Sequence, residues 1–131
     1  MKAAVLACGM ILGASQVVAC PIQSKTGLLV AQGVDAPAAH LSFERLAVSE
    51  PLAFVVEVCS ADGGTPLDVA FDATMPAHQH GMNYNVDITK QDETTFLIDN
   101  VVFHMPGVWE VQIDVQGPDG AHTFVKELQV K

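Results

Sequence analysis

The sequence predicts an all-β fold, an immunoglobulin-like β-sandwich of seven to eight strands preceded by a cleavable signal segment. Three observations carry this. Past residue 19 no stretch shows the 3.6-residue period of an amphipathic helix, apolar and polar residues alternate in short runs, and turn residues separate those runs at strand spacing. The chain of 131 residues supports one domain. The roughly 110 residues beyond the signal can bury such a core without a disulfide framework.

Residues 1–19 read as an export signal: Lys2 gives a positive start, Ala3 to Leu12 is apolar, and Val17-Val18-Ala19-Cys20 closes the segment. The apolar run is too short for a permanent membrane span. A small residue followed by cysteine matches a lipoprotein box, in which Cys20 is lipidated and holds the domain at a membrane. Cleavage after Ala19 by a general signal peptidase is the alternative. Residues 20–40 read as a tether and first edge strand, with a weak strand over 28–34, and residues 41–131 as the sandwich. Leu41 to Val48 is the next expected strand, ended by Ser49-Glu50-Pro51. Phe54, Val56 and Val58 alternate with Val55, Glu57 and Cys59, and Leu67, Val69 and Phe71 alternate with Asp68, Ala70 and Asp72. Tyr84, Val86 and Ile88 form the next inward set, a turn follows at Lys90-Gln91-Asp92-Glu93, and Phe96, Ile98 and Val102 lead to His104. Trp109, Val111, Ile113 and Val115 alternate with Glu110, Gln112 and Asp114, with Trp109 filling the core. Gly117-Pro118-Asp119-Gly120 turns into a last strand over 122–130.

The formal charge is −9, and loss of the signal removes one of six cations and none of the fifteen acids. Such a balance repels phosphate backbones, so no nucleic-acid partner is expected. Of three cysteines, Cys8 leaves with the signal. A lipidated Cys20 would leave Cys59 an unpaired thiol, for which burial is the natural setting. Without lipid, a Cys20–Cys59 disulfide becomes available. Neither spacing makes a Cys-x-x-Cys motif.

The chemistry concentrates in Met75-Pro76-Ala77-His78-Gln79-His80-Gly81-Met82 and in Phe103-His104-Met105-Pro106-Gly107. Beyond the signal the chain has three methionines, and each lies within three residues of a histidine. Methionine ordinarily spreads through a core as filler, so this confinement is informative. Imidazole binds both oxidation states of copper and thioether favours the softer one, which makes copper the expected ion. Residues i and i+2 of an extended chain share a face about 6.6 Å apart, within reach of one ion. A hairpin turn centred on Gln91-Asp92 would make facing residue numbers sum to about 183, bringing His80 against His104 through a one-residue bulge. By parity His78, His80, Met82 and His104 face inward, and Met75 and Met105 rank behind them. Packing of these groups at the end of the sandwich, or a pH-responsive histidine cluster, are the competing readings. His40 and His122 stand alone and read as surface or edge residues.

Residues 51–130, through Asp72-Ala73-Thr74-Met75-Pro76-Ala77-His78-Gln79-His80-Gly81-Met82 and Phe103-His104-Met105-Pro106-Gly107-Val108-Trp109-Glu110, resemble the YtkA-like/FixH-like domain family of bacterial envelope proteins. The resemblance implies an immunoglobulin-like sandwich and, for members tied to cytochrome oxidase assembly, copper handling at Met75, His78, His80, Met82, His104 and Met105. FixH-type members carry a transmembrane helix, whereas the attachment expected for this sequence is a lipid anchor at Cys20.

The expected function is therefore a copper-binding accessory protein, a chaperone or sequestration module, periplasmic or anchored in a bacterial envelope. Its expected partner is a copper acceptor such as an oxidase subunit. A non-metal envelope lipoprotein acting as a protein-interaction module is the alternative. No Gly-x-Ser-x-Gly, His-Glu-x-x-His or phosphate-cradling loop is present, and no enzymatic activity is expected.

Overall fold

The computed structural model describes residues 28–29, 38–59, 64–118 and 120–131. The expected signal segment, Cys20 and residues 30–37 lie outside them. The strands are β1 (Leu28–Leu29), β2 (Ala38–Phe43), β3 (Leu52–Cys59), β4 (Asp68–Met75), β5 (His80–Gly81), β6 (Asp87–Lys90), β7 (Thr95–Val101), β8 (Gly107–Gly117) and β9 (Gly120–Val130). They form two antiparallel sheets, ordered β1-β2-β3-β7-β6 and β5-β4-β8-β9. The described residues fold into the expected sandwich, with nine strands in place of seven to eight.

Alternation does the work. In β4 every second residue is buried (Val69, Phe71, Ala73, Met75), and β8 repeats the pattern with Trp109, Val111, Ile113 and Val115. From the other sheet Leu41, Phe54, Val56, Val58, Phe96 and Ile98 close over them. Phe54 meets Phe71 edge to face across the layers at 5.6 Å, an arrangement aromatic quadrupoles favour. The long edge strand β9 carries His122 and Lys126 on the same alternation as buried Phe124 and Leu128. Polar groups turned inward on an edge discourage a further strand from pairing there.

Several expectations are corrected. The second strand runs over Ala38–Phe43 rather than from Leu41 to Val48, and it already pairs with β3 at Ala38. Leu67 and Tyr84, expected inward, are 61% and 59% exposed, because each lies in a connection and not in a strand. His40, expected at the surface, is buried in β2 on the face opposite Ala39 and Leu41, while His122 does sit on an edge strand. Of the two states left open for Cys59, a thiol or a disulfide, it takes the disulfide. The β6–β7 hairpin pairs Ile88 with Ile98 and Lys90 with Phe96, three residues away from the expected register. Its turn is set by Asp92, whose carboxylate accepts the Thr94 and Thr95 amides at 2.9 and 2.8 Å.

The inward parity of β7 also changes along its length. Phe96 and Ile98 face the core, and so do Val101 and Phe103 beyond them. Asn100 adopts a left-handed φ of 61°, and the β3–β7 register shifts between Leu52 and Phe54. The extra residue swaps the two faces, as a bulge does. Phe103 rather than Val102 is therefore buried, and His104 does not reach the site by continuing the even register.

Candidate metal centre

The histidine loop belongs to the second sheet. The β4–β5 connection is a tight turn over residues 76–79, in which the His78 amide donates to the Met75 carbonyl at 3.0 Å and the Gln79 amide to the Pro76 carbonyl at 3.4 Å. Gln79 closes it with a left-handed φ of 54°. The chain returns so that His80 faces Met75 and Gly81 faces Thr74, and the Met82 amide donates to the Ala73 carbonyl at 3.1 Å. Directly opposed residues share a face of a sheet. Met75 is buried on the inward face, so His80 is turned inward with it, while His78 is left exposed on the turn. His80 thus pairs with β4 and not with the strand beside His104, contrary to the expected hairpin.

His104 arrives from the crossing between the sheets. Phe103 is pinned there by a parallel bridge to Val48 and by the Ser49 amide, which donates to its carbonyl at 2.8 Å. Two residues on, the Met105 carbonyl accepts the indole Nε1–H of Trp109 at 3.0 Å. Trp109 is fully buried and forms the floor of the site. Its ring lies 5.1 Å from Phe103, 5.3 Å from His104 at 81°, and 6.2 Å from His80 at 63°. Gly107 opens β8 with φ +136°, and a Cβ there would sit 2.4 Å from the Met75 terminal methyl. Met75 therefore occupies the space that the missing side chain leaves.

The three imidazoles do gather at one end of the sandwich. The His80 and His104 ring centroids are 5.0 Å apart, and those of His78 and His80 5.7 Å. The Nδ1 atoms of His80 and His104 are buried and have no hydrogen-bond partner. Each such group costs about 1–3 kcal/mol and calls for an explanation. A nitrogen about 2.0–2.1 Å from an ion places its ring centroid about 3.2 Å from that ion, so two ligating rings lie at most about 6.4 Å apart. Both separations meet this limit. Among the described residues no three His, Cys, Asp or Glu side chains converge on one ion position. Met82 and Met105 are half-buried against the core and Met75 is 2% exposed, so all three thioethers are at this end of the fold.

Sequence reasoning ranked Met75 behind Met82 on parity, yet Met75 is the more buried and directly faces His80. It also missed Gly107 as the seat of Met75. Gly107 follows Met105-Pro106 at the mouth of a strand, and that placement is the signal that marks it. An open groove of about 380 Å³ reaches the site from outside, lined by Thr74, Met75, Pro76, Gln79, His80, Gly81 and Glu110.

No family model matches the chain, and no curated protein sequence matches it. Among solved structures it is similar to the crystal structure of the Lin-41 filamin domain, at 14% identity over 71% of this chain and 91% of that one, with a TM-score of 0.51. At that identity the likeness shows the fold alone, an immunoglobulin-like sandwich.

Proposed function

We propose that this chain is a copper-binding accessory protein, a chaperone or sequestration module of the bacterial envelope, with its ion seated between His80 and His104. The observation that carries the reading is the pair of buried, unpartnered Nδ1 atoms on rings 5.0 Å apart. Two nitrogen ligands do not complete a zinc site, which takes three or four ligands from Cys, His and carboxylate. No third ligand of that kind converges here among the described residues. Thioethers are what remain, and they favour Cu(I). Met75 is the first candidate by its pairing with His80, followed by Met82 and Met105.

The resemblance to YtkA-like/FixH-like domains supports the same ion and extends the proposal to an acceptor such as an oxidase subunit. The Cys59 disulfide supports an oxidising compartment and hence export. One sulfur cannot carry both a disulfide and a thioether-linked lipid. The intact mass of the exported protein therefore decides whether Cys20 anchors the domain or is bonded to Cys59.

Titrating the protein with Cu(I), Cu(II) and Zn(II), with ascorbate in place of a thiol reductant, tests the reading. One Cu(I) bound per chain, preferred over zinc and lost in His80→Ala/His104→Ala, is the expected result. Equal binding by parent and variant refutes it. The alternative, a non-metal interaction module, draws on the exposed Tyr84 and Val108, which follow Met82 and Met105 by two and three residues in the chain. It predicts a partner captured by crosslinking in the presence of chelator.

A further inference from the structure

The three histidines are not equivalent. His80 and His104 have buried Nδ1 atoms above the Trp109 floor, whereas His78 is exposed on the turn outside them. His78 is within bridging distance of His80 at 5.7 Å, and His80 of His104 at 5.0 Å, yet the three do not converge on one ion. An arrangement with two adjacent two-ring seats sharing His80 is not the geometry of a three-histidine cage. It is the geometry of a relay.

We infer that His78 is the exchange ligand of the site, the imidazole through which Cu(I) enters and leaves the inner His80/His104 seat. The inference rests on the copper reading above. Trp109 and Phe103 back the inner seat, and the core lies beyond them. An ion there is reached from the solvent side, and His78 is the imidazole exposed on the turn whose Pro76 and Gln79 line the groove to His80. The step is a ligand substitution at constant oxidation state. A lone pair on a His78 nitrogen forms a bond to the ion as the His104 bond breaks, with His80 retained as pivot. A donor on the acceptor then bonds to the ion as the His80 and His78 bonds break in turn. No electron leaves the system, since the ion keeps its oxidation state and each imidazole recovers on release the lone pair it donated.

An exchange ligand accelerates arrival and departure alike and leaves the equilibrium where it was. A resident ligand does the opposite: mutations that weaken a complex act mainly through faster dissociation. The experiment compares parent, His78→Ala and His78→Met by Cu(I) affinity and by stopped-flow transfer of Cu(I) to and from a chromogenic chelator. Because His78 is on an exposed turn, the fold is not at issue. The expected result is that His78→Ala slows both loading and unloading about tenfold with Kd changed less than about threefold, and that His78→Met restores the rates. A Kd and an unloading rate that rise together would make His78 a resident ligand and overturn the relay. Unchanged rates would make it a bystander and overturn it equally. A parent that binds no Cu(I) refutes the copper reading itself, an outcome distinct from either.

Discussion

If His80 and His104 are kept for an ion, the protein without the ion is less stable than it need be. Replacing both by leucine, a side chain of similar bulk with no polar atom, removes two buried and unpartnered nitrogens. At about 1–3 kcal/mol each, this relieves about 2–6 kcal/mol. The change also forfeits the edge contacts of both rings with Trp109, at about 0.5–1.5 kcal/mol apiece. The net expectation is that His80→Leu/His104→Leu stabilises the metal-free protein by about 1–3 kcal/mol. Urea unfolding in chelator reads this as a higher midpoint at unchanged slope. Saturating Cu(I) should then reverse the order, since free ion at a thousand times Kd adds about 4.1 kcal/mol to the parent and nothing to the variant. A metal-free variant less stable than the parent by more than about 1 kcal/mol would show the rings to be packing elements, and would refute the reasoning.

Three further outcomes follow from the geometry. Gly107→Ala meets both an unfavourable φ of +136° and the Met75 methyl at 2.4 Å, and should cost about 2–4 kcal/mol in urea midpoint. Combining it with Met75→Ala should recover the steric part, about 1 kcal/mol, in a double-mutant cycle. Trp109→Phe leaves the Met105 carbonyl without its indole donor and a void beside the site, and should lose about 2–4 kcal/mol by the same assay. The Asp92 carboxyl is held below its ordinary value of 3.8 by the Thr94 amide first and by the Thr95 contacts after it. Its contribution is therefore present above that ordinary value and is lost as pH falls through the lower, folded value. In Asp92→Asn the fall in melting temperature between about pH 5 and pH 2 should be shallower than in the parent, and an identical slope would contradict the assignment.

The alternation that made β3, β4 and β8 legible is a direct consequence of one buried face per sheet, and it placed Trp109 and most of the core. The gathering of His78, His80 and His104 was legible too, because methionine and histidine occur together in two loops that the fold brings to one end. The route was not. It depends on Gln79 and Asn100 adopting left-handed backbone, which glutamine does not announce and which asparagine only tolerates more readily than most residues. With Gln79 so placed, the turn sends His80 back along β4, and with Asn100 so placed, the inward face passes to Val101 and Phe103. Parity assumes an unbroken strand, and each left-handed residue breaks one. Parity with Tyr84 misplaces Met75 for the same reason, since its own strand carries Val69, Phe71 and Ala73 inward.

Departures from local preference collect around this end of the molecule. Gln79 bends the turn beneath His78, Ser49 adopts φ 59° where its amide holds Phe103, Gly107 makes room for Met75, and two imidazole nitrogens are buried without partners. A sequence whose local choices otherwise agree with its fold keeps such costs where something compensates them. Packing accounts for Gly107 and Ser49, since each seats a buried side chain. The buried Nδ1 atoms of His80 and His104 differ from these, since packing alone would be served by leucine without the penalty of an unpaired polar atom. On the copper proposal the compensation is a soft ion shared by the two rings and the thioethers beside them, and the metal-free stability of the leucine variant is the measurement that separates this from packing.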